Sequence, residues 1–154
     1  MEQSNKINFI SLLLLFFFSA CSQSYQPNKN EKLFNALSDE SIEMRGKIID
    51  IPESEFRFDY YDFDEKDSSV EELYRRGYQA GGLSWRGIVY AAIRMSDDKM
   101  LLKIRFDEEA DGLAIWSYDR KNLEKIGRLI AVIKNNKKIL NECILVAEKN
   151  GEME

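Results

Sequence analysis

Apolar residues recur at two spacings along this chain, and the change from one to the other predicts its elements. Glu55 to Asp62 alternates, with Phe56, Phe58 and Tyr60 on one face and Glu55, Arg57, Asp59 and Tyr61 on the other. That is the pattern of a half-buried strand. Trp85, Ile88, Val89, Ala92 and Ile93 instead fall at i, i+3, i+4, i+7 and i+8. This core-facing stripe predicts a helix over Trp85 to Met95, against the strand propensity of its Ile-Val-Tyr. Met100, Leu102, Ile104 and Phe106 alternate against Leu101, Lys103 and Arg105, and Leu113 to Tyr118 alternates again beyond the acidic turn Asp107 to Gly112. Two strands around a short turn read as a hairpin. Behind Asp119 as N-cap, Leu123, Ile126, Ile130 and Ile133 share a helical face widened by Leu129 and Val132, and Asn135-Asn136 ends it. A last helix, Lys138 to Lys149, buries Ile139, Leu140, Cys143, Ile144 and Ala147 before Gly151.

Weaker signals fill the gaps. Leu33, Phe34 and Leu37 share one face of a short helix interrupted at Ser38-Asp39, and Arg45 to Ile51 suits a short strand stopped by Pro52. Ser68 and Ser69 each stand three residues before a Glu, so either pair can form a capping box. Val70, Leu73 and Tyr74 then mark the buried face of a helix ending at Gly77. Gly81-Gly82 breaks the chain, and Ser84 can cap the next helix. The order strand, helix, helix, strand, strand, helix, helix predicts an α+β fold: a small antiparallel sheet with helices packed on one face and two C-terminal helices. No internal repeat is visible.

The amino-terminal run Phe9 to Phe18 is apolar apart from Ser11, short of the about 20 residues that a membrane-spanning helix needs. It reads as an export signal, although MEQSNKIN supplies only Lys6 as a cation. Phe18-Ser19-Ala20-Cys21 resembles the lipobox of bacterial lipoproteins, with Phe18 where Leu is usual. That resemblance implies a signal over 1–20, lipidation of Cys21 and, from Ser22, outer-membrane sorting in a Gram-negative cell. The plainer alternatives are an ordinary cleaved signal or a buried helix. SQSYQPNKN, Ser22 to Asn30, is polar and without apolar period, so 21–30 reads as lipidated Cys plus flexible tether, and 31–154 as one domain. The expected location is the cell envelope, lipid-anchored and facing the periplasm.

Charge narrows the function. The chain holds 22 Lys+Arg against 27 Asp+Glu, a net charge of −5, which removes the electrostatic motive for nucleic-acid binding. Acids crowd Asp50 to Glu72 and cations crowd Arg120 to Lys138. Solvated faces or attraction within one fold explain this, and so does an acidic docking surface for a basic partner. With 0 His, the usual nucleophile triads and imidazole metal sites are excluded. If Cys21 carries lipid, Cys143 lacks an intrachain partner, and its helical neighbours make it a buried thiol.

Asp107 to Gly112 begins like an EF-hand loop but has Tyr118 at position twelve, where a bidentate Glu is needed, and strands rather than helices on its flanks. An acidic hairpin turn explains it better. Gly81-Gly82 lacks the continuation of a phosphate-binding loop. A carboxylate pair suffices in principle for glycoside hydrolysis, yet nothing in the sequence selects a pair. No cofactor or metal is expected. The candidate partner contacts are Asp59, Tyr61, Asp62 and Asp64 beside the aromatic strand and Asp107, Glu109 and Asp111 in the turn. Tyr supplies rigid contact area and the acids steer a basic surface. A sheet edge kept soluble by charge, and a turn held by carboxylates, are the dull readings of the same residues.

From Gly81 to about Lys149 the sequence resembles the immunity-protein-51 family of bacterial polymorphic toxin systems. The matching pieces are Gly82 through Trp85 opening a helix, Phe106-Asp107-Glu108-Glu109-Ala110 running into Leu113 to Tyr118 with Trp116 in the aromatic place, and Ser117-Tyr118-Asp119 leading to Leu123. The resemblance implies a small α+β protein that binds a cognate toxin and blocks it, with Gly82, Trp85, Phe106 and Trp116 as structural motif residues. The lipobox is a departure, since many immunity proteins stay cytoplasmic. The expected function is therefore a lipid-anchored, non-catalytic immunity protein acting by occlusion. The competing class is an envelope lipoprotein with a structural or general binding role, and the third is a carboxylate-dependent hydrolase.

Overall fold

Four short strands, β1 (Lys47–Asp50), β2 (Phe56–Tyr60), β3 (Arg105–Glu108) and β4 (Leu113–Ser117), form one antiparallel sheet in the order β1-β2-β4-β3. The computed structural model describes residues 24–52, 55–61, 68–108 and 111–153. The expected signal over 1–20, Cys21, the acidic turn Phe63 to Asp67 and the contacts Asp62, Asp64 and Glu109 lie outside the described residues. Among the described residues five α-helices accompany the sheet: α1 (Glu31–Ala36), α2 (Ser68–Arg75), α3 (Gly82–Arg94), α4 (Arg120–Lys134) and α5 (Lys137–Lys149). The expected α+β class is the observed one.

Register sorts the sheet into two faces. Ile48, Phe58, Ile115 and Phe106 form one cross-strand row, and Tyr60 pairs with Leu113 two residues along the same face. All six join the core. Against this inner face lie α3 and α4. The stripe that predicted α3 is buried in full, but so are Gly82, Ser84, Gly87 and Ala91. A helix apolar nearly all round must be covered on both sides, and α5 supplies the second cover by packing on α3 and α4. The molecule is thus three layers deep: sheet, then α3 with α4, then α5. Trp85 meets Tyr60 edge to face at 5.0 Å, and Tyr90 stacks on Phe106 at 4.3 Å.

Local chemistry sets the boundaries. The Asp119 carboxylate accepts from the Lys121 N–H at the start of α4, and Asn136 does the same for Ile139 at the start of α5. Gly46 enters β1 with φ +98, and a Cβ there would collide with the Phe58 ring and the Asp59 carbonyl. Only glycine meets both demands. Arg128 on α4 donates to the carbonyls of Ala36 and Leu37 at 3.1 and 2.9 Å, capping α1 from outside.

Four expectations need correction. The strand expected from Met100 begins only at Arg105, because Asp98–Lys103 winds into a 3-10 turn. Three residues per turn leave Met100 2% exposed and Leu102 89% exposed. Phe34 and Tyr74, expected on buried faces, are exposed, because Leu33 and Leu73 fill the seats their helices offer to the core. Ser84 lies within α3, whose N-cap is Gly81. Finally, the tether expected over 21–30 does not stay free to its end. The Tyr25 N–H donates to Asn150 Oδ1 at 2.7 Å, the Asn30 N–H to the Met95 carbonyl at 2.7 Å, and Asn30 Nδ2 to Glu142 Oε2 at 2.9 Å. Polar composition there signals an irregular backbone, not a lack of partners.

Candidate functional site

The sheet has an outer face on which, among the described residues, the hydrophobic core takes in nothing. Two cross-strand rows build it: Ile49, Arg57, Trp116, Arg105, and next to them Lys47, Asp59, Ala114, Asp107. The alternation expected for Leu113 to Tyr118 is lost here, since Ala114 is buried and Trp116 half-buried, while Tyr118 is exposed beyond the strand end. The reason is position. β4 is flanked by strands on both sides, and long side chains from each neighbour lean over it.

Trp116 sits between two guanidinium groups, with Arg57 at 5.5 Å and Arg105 at 5.2 Å from the ring centroid. A cation over an indole face is attracted by the ring quadrupole. Each arginine is also tied to a carboxylate: Arg57 Nε donates to Asp59 Oδ1 at 2.6 Å, and Arg105 Nη2 to Glu55 Oε2 at 3.0 Å. The indole Nε1–H of Trp116 is buried without a hydrogen-bond acceptor. A buried unpaired donor costs stability.

Of the expected contacts, Asp59 and Asp107 stand in one row on either side of Ala114. Tyr61 follows β2 and lies exposed at the same end, its ring filling the space that a Cβ on Gly112 would need. Asp111 is exposed in the adjoining turn. The structure therefore gathers Asp59, Tyr61, Asp107 and Asp111 at one end of the outer face. Sequence reasoning missed Arg57, Arg105 and Trp116 as a unit. Their signal was present, because strand alternation places all three opposite Phe58 and Phe106, but only the register shows them adjacent. The motif residues divide: Gly82 opens α3, Trp85 is sealed in the core, Phe106 faces inward, and Trp116 faces outward.

Other polar groups serve packing. Glu72, whose side chain is 3% exposed, receives Arg75 and, at 2.9 Å, Arg76. These hydrogen bonds hold its carboxyl down at about 2, against a raising effect of burial. Arg76 also donates to Asn141 on α5 at 2.9 Å, and the Tyr78 hydroxyl to Glu148 at 2.9 Å, so the cluster clasps α2 to α5. Burial and Glu148 raise the Tyr78 phenol. Cys143 is buried, and desolvation pushes its thiol up. Among the described residues no three Cys, Asp or Glu gather as a metal site, and no helix is long and apolar enough to cross a membrane. A cleft of about 670 Å³ lies between α1, the loop carrying Ile42 and Met44, and α4, with Lys32, Asp39, Glu43 and Arg45 on its walls.

Residues 53–149 match the protein-family model described as Immunity protein 51. The matched span contains β2 to β4 and α2 to α5, and with them the whole Trp116 row except Ile49. No curated protein and no solved structure matches the chain.

Proposed function

The chain belongs to the immunity protein 51 family, and on that premise we propose that it is a lipid-anchored immunity protein that occludes a cognate toxin with the outer face of its sheet. The family match carries the toxin-neutralising role. The choice of surface rests on composition: Trp, Tyr and Arg concentrate binding energy at protein interfaces, and here Trp116, Arg57, Arg105 and Tyr61 share one face. The exposed carboxylates of Asp107 and Asp111 favour encounter with a basic toxin surface. The motif Phe18-Ser19-Ala20-Cys21 supports the anchor. The action is binding and not catalysis. Among the described residues the two carboxyls with a resolved shift, Glu72 and Asp39, are held below the usual range, the reverse of what a general acid needs at neutral pH.

The test is co-expression of the full chain with the toxin encoded beside its gene, with survival and direct binding as readouts. Wild type should protect. Trp116→Ala should weaken binding by about 2 kcal/mol, roughly 30-fold in Kd, when measured at a temperature where circular dichroism shows the variant folded. Unchanged survival together with no binding of the purified chain would overturn the immunity reading. Protection undiminished by Trp116→Ala and Arg105→Glu together would move the contact surface elsewhere.

A further inference from the structure

Cys21 and Tyr25 are four positions apart, yet Tyr25 is already held by the folded domain. Its N–H donates to Asn150 Oδ1 at 2.7 Å, its carbonyl accepts from Asn150 Nδ2 at 3.3 Å, and the Lys149 ammonium stands 4.3 Å from its ring centroid. Even fully extended, the intervening chain reaches only about 14 Å. A lipid on Cys21 would therefore hold the C-terminal end of α5 close to the headgroups. α5 is the layer farthest from the sheet, with α3 and α4 between them. We propose that the anchored protein rests on the bilayer through α5 and the segment from Tyr25 to Asn30, with the outer sheet face directed away from the membrane. This rests on the lipid-anchor reading above.

The surface at that end suits a lipid headgroup layer. Leu145 is 50% exposed and Tyr25 39% exposed, and together with Pro27, Val146, Lys29 and Lys149 they line a shallow groove. An aromatic ring and an aliphatic side chain beside lysines is the composition favoured at the membrane interface; Lys149 draws towards anionic lipid, while Lys29 is matched to Asp98 at 3.6 Å. The acids nearby have partners of their own. Glu142 accepts from Asn30, and Glu148 from Tyr78. Two helical layers and a sheet place the outer face roughly 20–25 Å above the headgroups. A toxin arriving from the periplasm then meets the Trp116 row unobstructed.

The experiment uses the full lipidated chain, purified from membranes and reconstituted into phosphatidylethanolamine–phosphatidylglycerol vesicles. An environment-sensitive fluorophore is placed at Leu145→Cys or Lys47→Cys, and each is quenched by nitroxide-headgroup lipid or by iodide. The expected result is nitroxide quenching and loss of iodide quenching at position 145, with the opposite at 47. Asn150→Ala, which removes both hydrogen bonds to the Tyr25 backbone, should narrow that contrast. If both labels respond equally to iodide while the protein remains with the vesicles, the orientation is wrong and the anchor stands. If wild type fails to sediment with vesicles, or Cys21→Ser sediments as well as wild type, the anchor reading fails and the orientation falls with it.

Discussion

At the scale of single residues, the surroundings of two buried groups decide their chemistry. Glu72 was legible only as a capping acid three residues after Ser69. In the fold its carboxylate takes hydrogen bonds from Arg75 and Arg76, a role that needs α5 behind it. Its pKa stands at about 2 when folded and at the ordinary 4.5 when not. The ionised form thus favours folding above about pH 4.5, and that contribution is lost as pH falls from 4.5 towards 2. Glu72→Gln should lower stability at pH 7 by about 2 kcal/mol and flatten the acid limb of the unfolding midpoint across this window. An unchanged limb would place the acid sensitivity elsewhere. Cys143 was readable from its helical spacing with Leu140, Ile144 and Ala147, and it is buried as expected. In Cys21→Ser it is the remaining thiol of the 2 cysteines. Folded protein should leave an aromatic disulfide reagent unreacted at pH 8, and denaturant should release a full equivalent.

At the scale of elements, the long amphipathic helices were legible, and so were the short β1, β2 and α2, whose boundaries Pro52, the alternation of β2 and the Ser-Glu capping pairs mark. α3, α4 and α5 each present several apolar residues at helical spacing, so a single misplaced position does not obscure the period. The segment before β3 shows the opposite case. Met100, Leu102, Ile104 and Phe106 keep strand spacing, but over so few residues a 3-10 turn fits the same letters. The two readings make different demands on Leu102, which a strand would bury beside Met100. Leu102→Asp should change stability by no more than about 0.5 kcal/mol, whereas Met100→Ala should cost about 2–5 kcal/mol. Comparable losses on thermal unfolding would restore the strand. β4 defeated alternation for a different reason: a central strand inherits cover from neighbours that its own sequence does not contain. The same holds for Tyr25 to Asn30, whose partners Met95, Glu142 and Asn150 are far away along the chain.

At the scale of the molecule, the pairing of β2 with β4 brings Arg57 beside Trp116 across the intervening α2 and α3. No local pattern encodes that adjacency, so the half of the candidate site that lies within one strand or turn was legible and the Trp116 row was not. If the acids at the rim steer the toxin while Trp116 anchors it, the two contributions separate kinetically. Raising salt from about 0.05 to 0.5 M should slow association, and Trp116→Ala should mainly hasten dissociation. Stopped-flow mixing with the purified toxin distinguishes them; a salt-independent association rate would remove the steering role. The outer face also carries its own counter-ions, since Arg57 is matched to Asp59 and Arg105 to Glu55. At these two pairs a partner bearing charge of one sign must break a pair for each pair it forms and gains little, so its steering falls to the acids at the rim, Asp107 and Asp111. Only a surface offering both signs, in the spacing of these rows, replaces every bond it displaces. If this face is the contact surface proposed above, its self-pairing disfavours unrelated proteins, and that selectivity is in place before any toxin arrives.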